Sequence, residues 1–221
     1  MLGFYDYTVV LTYLSLALGV TGIALCKMDH PFIACVLLLL CGLCDAFDGR
    51  VARTKKNRTR EECSFGIQID SMCDLISFGV LPAAICMQIW SATHPRAWWL
   101  WVLVILVCVF YVLAGVIRLS YFNVTEEIRQ SQTKEGRHTY QGLPITMASL
   151  TLPEIYLLRY AVPELAFRYI FAAALVILGV CFVSPFQIHK PKGKSILWLV
   201  LVGVVICAIM VAIMIARGGV R

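Results

Sequence analysis

An all-α, polytopic membrane helix bundle is the fold this sequence predicts, and three observations lead there. Hydrophobic residues make up 60% of the 221 and charged residues only 14%, with a mean hydropathy of +0.82. A water-soluble globule of that composition would have too little polar surface to cover itself. Seven apolar runs approach the roughly 20 residues a helix needs to cross a bilayer. Four aspartates, Asp45, Asp48, Asp70 and Asp74, stand in this apolar background.

Taken in order, the first run, residues 7–27, has no basic leader and no small-residue cleavage site, so it is expected to be a retained helix and not a signal peptide. The second, 31–49, closes on Asp45 and Asp48, and the third, 66–90, opens on Asp70 and Asp74. The fourth, 97–119, ends at Arg118, and the fifth and sixth cover 142–160 and 165–185. The seventh, 195–216, is followed by Arg217 and Arg221. Together they predict about seven transmembrane helices in a single domain over 1–221.

Lys and Arg positions set the orientation. With a cytoplasmic N-terminus, 13 of the 19 basic residues fall in inner loops, including the run from Arg50 to Arg60. All four aspartates then lie near the cytoplasmic face. The net charge of +6 reads as positive-inside loops near anionic lipid, with no sign of nucleic-acid binding. The ten cysteines fall mostly in apolar runs, where a free Cys acts as a small hydrophobe, so no disulfide framework is expected. Cys41 and Cys44 form a CxxC with no second Cys or His pair at zinc spacing, so they are expected to pack and not to bind metal. His138 is the histidine in a loop near the aspartates.

The aspartates carry the chemistry. A carboxylate at membrane depth costs several kcal/mol, about 3 on insertion scales, so four together call for something positive between them. Residues three or four apart share a helix face, so each pair can aim at one point. Two such pairs on antiparallel neighbours form an oxygen cage suited to Mg²⁺ or Mn²⁺. The alternative is four solvated helix-end aspartates. Gly49 and Gly66 remove side chains beside the carboxylates and let a planar base or a phosphate approach the backbone. Arg53, one turn beyond Asp48, is suited to a two-pronged phosphate contact, while most of the basic run is a solvated loop.

The pattern DxxDGxxAR followed by GxxxDxxxD, here Asp45, Asp48, Gly49, Ala52, Arg53, Gly66, Asp70 and Asp74, resembles the signature of the CDP-alcohol phosphotransferases, membrane enzymes with a six-helix core. The family usually has eight residues between the Arg and the second Gly; here Thr54 to Phe65 makes twelve, an insertion a surface loop absorbs without shifting either helix. The run SFGIQIDSMCDLISFGVLP, Ser64 to Pro82, is similar to the phosphatidylserine synthase branch, with its DSxxDxxSFGxxP. RLSYFN (Arg118 to Asn123) and YQGLP (Tyr140 to Pro144) are similar to RLARFN and FxGLP of that branch. Ser71 and Leu75 stand where phosphatidylglycerophosphate synthases carry the Pro and Lys of DPxxDK.

The resemblance implies that Asp45, Asp48 and Asp70 bind divalent metal, Mg²⁺ or Mn²⁺, with Asp74 the general base and a metal ligand early in the cycle. Gly49, Ala52, Arg53 and Gly66 would hold the cytidine and pyrophosphate of CDP-diacylglycerol. L-Serine would attack, giving phosphatidylserine and CMP. Arg118 and Arg137 either meet the lipid phosphate or serine carboxylate or are inner-face topology charges. A homodimer is what the family implies. Two other readings stay open: the same chemistry with glycerol phosphate, inositol or choline as acceptor, and a cation transporter, which predicts acids distributed across the bilayer depth.

Overall fold

The computed structural model describes residues 3, 6–52, 54–55, 59–91, 98–132, 139–189 and 193–216. Each of the seven apolar runs is mainly helical among the described residues. Helix α1 (Val10–Lys27) is entered through a 3₁₀ turn at Tyr7–Val9 whose N-cap is Asp6, and α2 (Pro31–Ala52) follows after a tight corner. Asp29 turns that corner at φ 62°, a left-handed conformation that Asp tolerates better than most residues. Helix α3 (Arg60–Asp74) passes through a π-helical turn (Leu75–Val80) into α4 (Leu81–Ser91). Then come α5 (Trp98–Gln132), β1 (Thr139–Gln141), α6 (Ala148–Leu157) between 3₁₀ turns, α7 (Glu164–Val183), β2 (Gln187–His189) and α8 (Gly193–Ala216).

Five helices among the described residues are long and apolar enough to cross a membrane: Tyr7–Lys27, Pro31–Ala52, Glu61–Ser91, Trp98–Ile128 and Glu164–Val183. The fifth run is shorter than the sequence predicts, because α6 has only 10 α-helical residues. In the seventh, Leu201–Ile213 is the apolar stretch among the described residues. The short strands pair antiparallel, Thr139 with His189 and Gln141 with Gln187. They are not foreseen from the sequence, since three residues carry no readable alternation.

The π turn has a cause in the sequence. Pro82 has no N–H to give the carbonyl of Phe78, and its ring would clash with that carbonyl in a regular helix. The turn widens instead, and Leu81 N–H bonds back to Ile76 O. The orphaned Phe78 carbonyl accepts from the Tyr111 hydroxyl at 2.7 Å. An extra residue in the turn swings the downstream face by about 100°. Asp70 and Asp74 thus point one way, while Leu81, Ile85 and Ile89 enter the core on another face, at 0–5% exposure.

That core gathers Phe32, Cys35 and Leu38 of α2, Leu152 and Tyr156 of α6, and Phe167, Phe171 and Leu175 of α7. Phe32, Phe167 and Phe171 surround Tyr156 at ring separations of 6.0, 5.6 and 6.5 Å, edge on. The outer faces of α5 and α7 expose Leu103, Leu106, Leu113, Leu165 and Ile177, as lipid-facing helices do. Where helices approach most closely the residues are small, as expected without a hydrophobic drive between spans. A Cβ on Gly19 would lie 3.2 Å from Ser77 Cα, and one on Gly42 would lie 2.6 Å from Ser149 Cβ.

Candidate active site

The two acid pairs converge. One carboxylate oxygen from each of Asp45, Asp70 and Asp74 lies within 4.8 Å of the others. Asp48 completes the cluster from the side, its carboxyl within hydrogen-bonding reach of Asp70. Asp45 thus meets both acids of α3, and Asp48 meets the earlier of them, Asp70. Asp48 and Asp74 are each 9% exposed. Two carboxylates 4.8 Å apart repel by roughly 3–4 kcal/mol at an effective dielectric of 20. Carboxyl groups this close therefore need a proton or a cation between them. A converging all-oxygen, multi-anionic donor set suits a hard divalent cation. Oxygens of one octahedral shell lie about 3–4 Å apart, a small side-chain adjustment from the separations here.

The site is framed by polar ties among the motifs. The Ser71 hydroxyl is 3.0 Å from the Asn123 side-chain oxygen and 3.0 Å from Ile67 O. Arg118, 6% exposed, donates from Nε to Leu143 O at 3.1 Å and stacks 5.7 Å from the Phe122 ring centre. The Gly142-Leu143 loop is in turn fastened to the end of α7. Gly142 N–H donates to Phe186 O at 2.7 Å and Leu143 N–H to Cys181 O at 3.1 Å. Gly142 has φ +71°, and a Cβ there would lie 2.9 Å from Phe182 O; only glycine fits. Beneath the acids, Ser77 and Cys41 both donate to Ser15 O, at 3.2 and 3.3 Å. Ser77 is three residues after Asp74 and Cys41 four before Asp45, so α1 supports both acid-bearing helices from below.

The longer loop after Arg53 is taken up largely as helix. Thr59 and Glu62 form a reciprocal capping box, so α3 starts at Arg60, six residues before Gly66. Asp70 and Asp74 therefore stand well inside a continuous helix and do not open one as the sequence predicts. Lys55 bridges Asp6 at 2.6 Å and Glu62 at 3.1 Å, and these bonds raise its pKa above the ordinary lysine value. Tyr7 Oη lies 3.1 Å from Thr54 Oγ1. The chain just beyond α2 is thus pinned to the start of α1.

Of the predicted nucleotide-binding residues, Gly49 is exposed, and Ala52 and Gly66 are half-buried. Gly49 follows Asp48 directly, and Gly66 precedes Asp70 by one helical turn. Arg53, Arg137 and His138 lie outside the described residues. The ties of Ser71 to Asn123 and of Arg118 to Leu143 join motif segments whose pairing is not foreseen from the sequence.

The sequence profile of the CDP-alcohol phosphatidyltransferases matches residues 8–216. The chain is 30% identical to a CDP-diacylglycerol–serine O-phosphatidyltransferase of Helicobacter pylori, over 88% of this chain and 75% of that relative. It is 36% identical to an archaetidylserine synthase of Methanothermobacter thermautotrophicus, over 75% of this chain and 60% of that protein. It is also 36% identical to a CDP-diacylglycerol–serine O-phosphatidyltransferase of Saccharomyces cerevisiae, over 55% and 41% of the two chains. With a profile match over nearly its whole length and the signature acids drawn together in space, the chain belongs to the CDP-alcohol phosphatidyltransferase family.

Proposed function

We propose that this chain, as one domain over 1–221, transfers the phosphatidyl group of CDP-diacylglycerol to L-serine, releasing phosphatidylserine and CMP at the cytoplasmic face of the membrane. The carrying observation is the convergence of Asp45, Asp70 and Asp74 within 4.8 Å, on helices that also bear Gly49 and Gly66 of the signature. The relatives named above differ in their lipid and agree in serine, which supports serine as the acceptor. Ser71 and Leu75, in place of a Pro and a Lys, support it from this chain's own sequence.

In this reading Asp45, Asp48 and Asp70 hold Mg²⁺ or Mn²⁺, with Asp74 beside them. When bound, divalent ions supply the charge that offsets the pyrophosphate and the departing CMP. Gly49, Ala52 and Gly66 leave room for the nucleotide against the backbone, and Arg53 contacts its phosphates. Arg118 and Arg137 meet the lipid phosphate or the serine carboxylate. The serine hydroxyl attacks the phosphorus that carries diacylglycerol. As the new P–O bond forms, its proton passes to the Asp74 carboxylate. The bond from that phosphorus to the bridging oxygen breaks, and CMP leaves with the oxygen. A site near the cytoplasmic membrane surface receives serine from water and the lipid sideways from the bilayer.

The test is an acceptor panel. Purified protein is given CDP-diacylglycerol with serine, inositol, glycerol 3-phosphate or choline, after EDTA and with Mg²⁺ or Mn²⁺ restored. Phosphatidylserine formed only with metal is the expected result. Product with inositol and none with serine would overturn the acceptor, and full activity in EDTA would overturn the metal site.

A further inference from the structure

Helix α3 presents Asp70 and Asp74, yet from Arg60 to Met72 no apolar side chain among the described residues is buried; the first is Cys73, at 2% exposure. Met72 is 63% exposed. The stretch that bears the acids has half-buried apolar side chains at Phe65, Ile67 and Ile69 but no fully buried one, so its firm ties are the polar contacts. At its N-terminal end these are the Thr59–Glu62 capping box and the Lys55–Glu62 bridge. At the level of the acids it is the contact between Ser71 and Asn123, at 3.0 Å.

We infer that Asn123, acting through Ser71, is a positioning residue that fixes the rotation of α3 about its axis and so the aim of Asp70 and Asp74. Ser71 projects about 100° around the helix from Asp70 and about 60° from Asp74. It therefore grips α3 from the flank while leaving the acid face clear. A free rotation of about 20° would carry a carboxylate, roughly 6 Å from the axis, through about 2 Å. Coordinating groups tolerate about 0.5 Å, so the tie acts on a quantity the site cannot spare. Asn123 is a firm anchor. Five residues earlier on α5, Arg118 is bound to Leu143 O and stacked on Phe122, and that loop is bonded to Cys181 O and Phe186 O at the end of α7.

The inference rests on the proposed metal-dependent reading, and its test separates the two. Mn²⁺ binding to the purified full chain in detergent is followed by electron paramagnetic resonance, for the natural protein and for Ser71→Ala, Asn123→Ala, the double variant and Ser71→Thr. Thermal unfolding midpoints are recorded alongside. Each single alanine variant is expected to weaken Mn²⁺ binding about 5- to 10-fold, as loss of an outer-shell hydrogen bond does. The double variant is expected to be no weaker than the weaker single, since both remove one bond. Ser71→Thr keeps the hydroxyl and is expected to bind within about twofold of the natural protein. Should Ser71→Ala fail to purify folded, Asn123→Ser, too short to reach Ser71, carries the same expectation. Lowered midpoints with unchanged Mn²⁺ affinity would show a purely structural bond and overturn the inference, as would additive losses in the double variant. A natural protein that binds no Mn²⁺ would overturn the metal reading itself, and the inference with it.

Discussion

Tyr111 donates its hydroxyl to the carbonyl of Phe78 at 2.7 Å, four residues before the proline that cannot. Both groups are buried, Tyr111 and Phe78 each at 0% exposure. The bond supplies from α5 what Pro82 removes from the helix, and it does so one turn past Asp74. Tyr111→Phe keeps the ring and leaves a buried carbonyl without its donor. The expected cost is about 1–3 kcal/mol of stability, read as a lower thermal midpoint in detergent. An unchanged midpoint would mean that the widened turn satisfies Phe78 by itself.

Gly42 of α2 packs directly against Ser149 of α6. A Cβ on Gly42 would lie 2.0 Å from Ser149 Oγ and 2.6 Å from its Cβ, so rotating the hydroxyl away is not enough. Gly42→Ala is expected to destabilise by about 1–3 kcal/mol through overpacking. Gly42→Ala with Ser149→Gly should recover most of that, because the double variant restores the space. Thermal midpoints of the two variants decide it, and a double variant no better than the single would place the strain elsewhere.

The carboxylate cluster was legible in the sequence because its information is local: spacings of three and four, charge in an apolar run, and a short connection between helices. The order of the spans was legible for the same reason. What stayed hidden depends on partners far along the chain. Nothing near Ser71 names Asn123, 52 residues away, and nothing near Arg118 names the carbonyl of Leu143. The π turn lay between these cases. Pro82 was visible, but the phase of a helix across a proline depends on whether a donor such as Tyr111 is at hand. The strands at Thr139–Gln141 and Gln187–His189 exist only as each other's partner.

The loop between β1 and α6 gives a third test. Gly142 combines φ +71° with a Cβ position 2.9 Å from Phe182 O and 3.0 Å from Ser184 O. Gly142→Ala is strained by its backbone as well as by contact, at about 1–3 kcal/mol. Because Leu143 O is the acceptor for Arg118, the damage should travel to α5. The expected outcome is a lowered midpoint together with reduced CMP release. A variant with normal midpoint and normal turnover would show that the loop does not support the site.

Asp74 is the sharpest test of the chemistry. It is the more buried member of its pair, at 9% exposure, and its oxygen meets those of Asp45 and Asp70 within 4.8 Å. Asp74→Asn keeps the shape of the side chain and removes its capacity to take a proton. If Asp74 accepts the proton of the attacking hydroxyl, CMP release should fall by about 10²- to 10⁴-fold. Binding of CDP-diacylglycerol should remain, since Gly49, Ala52, Gly66 and Arg53 are untouched. Asp45→Asn provides the contrast: as a ligand position it should weaken Mn²⁺ binding, and extra metal should restore part of its turnover. Added metal should not restore Asp74→Asn. CMP release and equilibrium binding of a CDP-lipid, each measured across a metal titration, distinguish the two roles. Normal turnover by Asp74→Asn would remove Asp74 as the base.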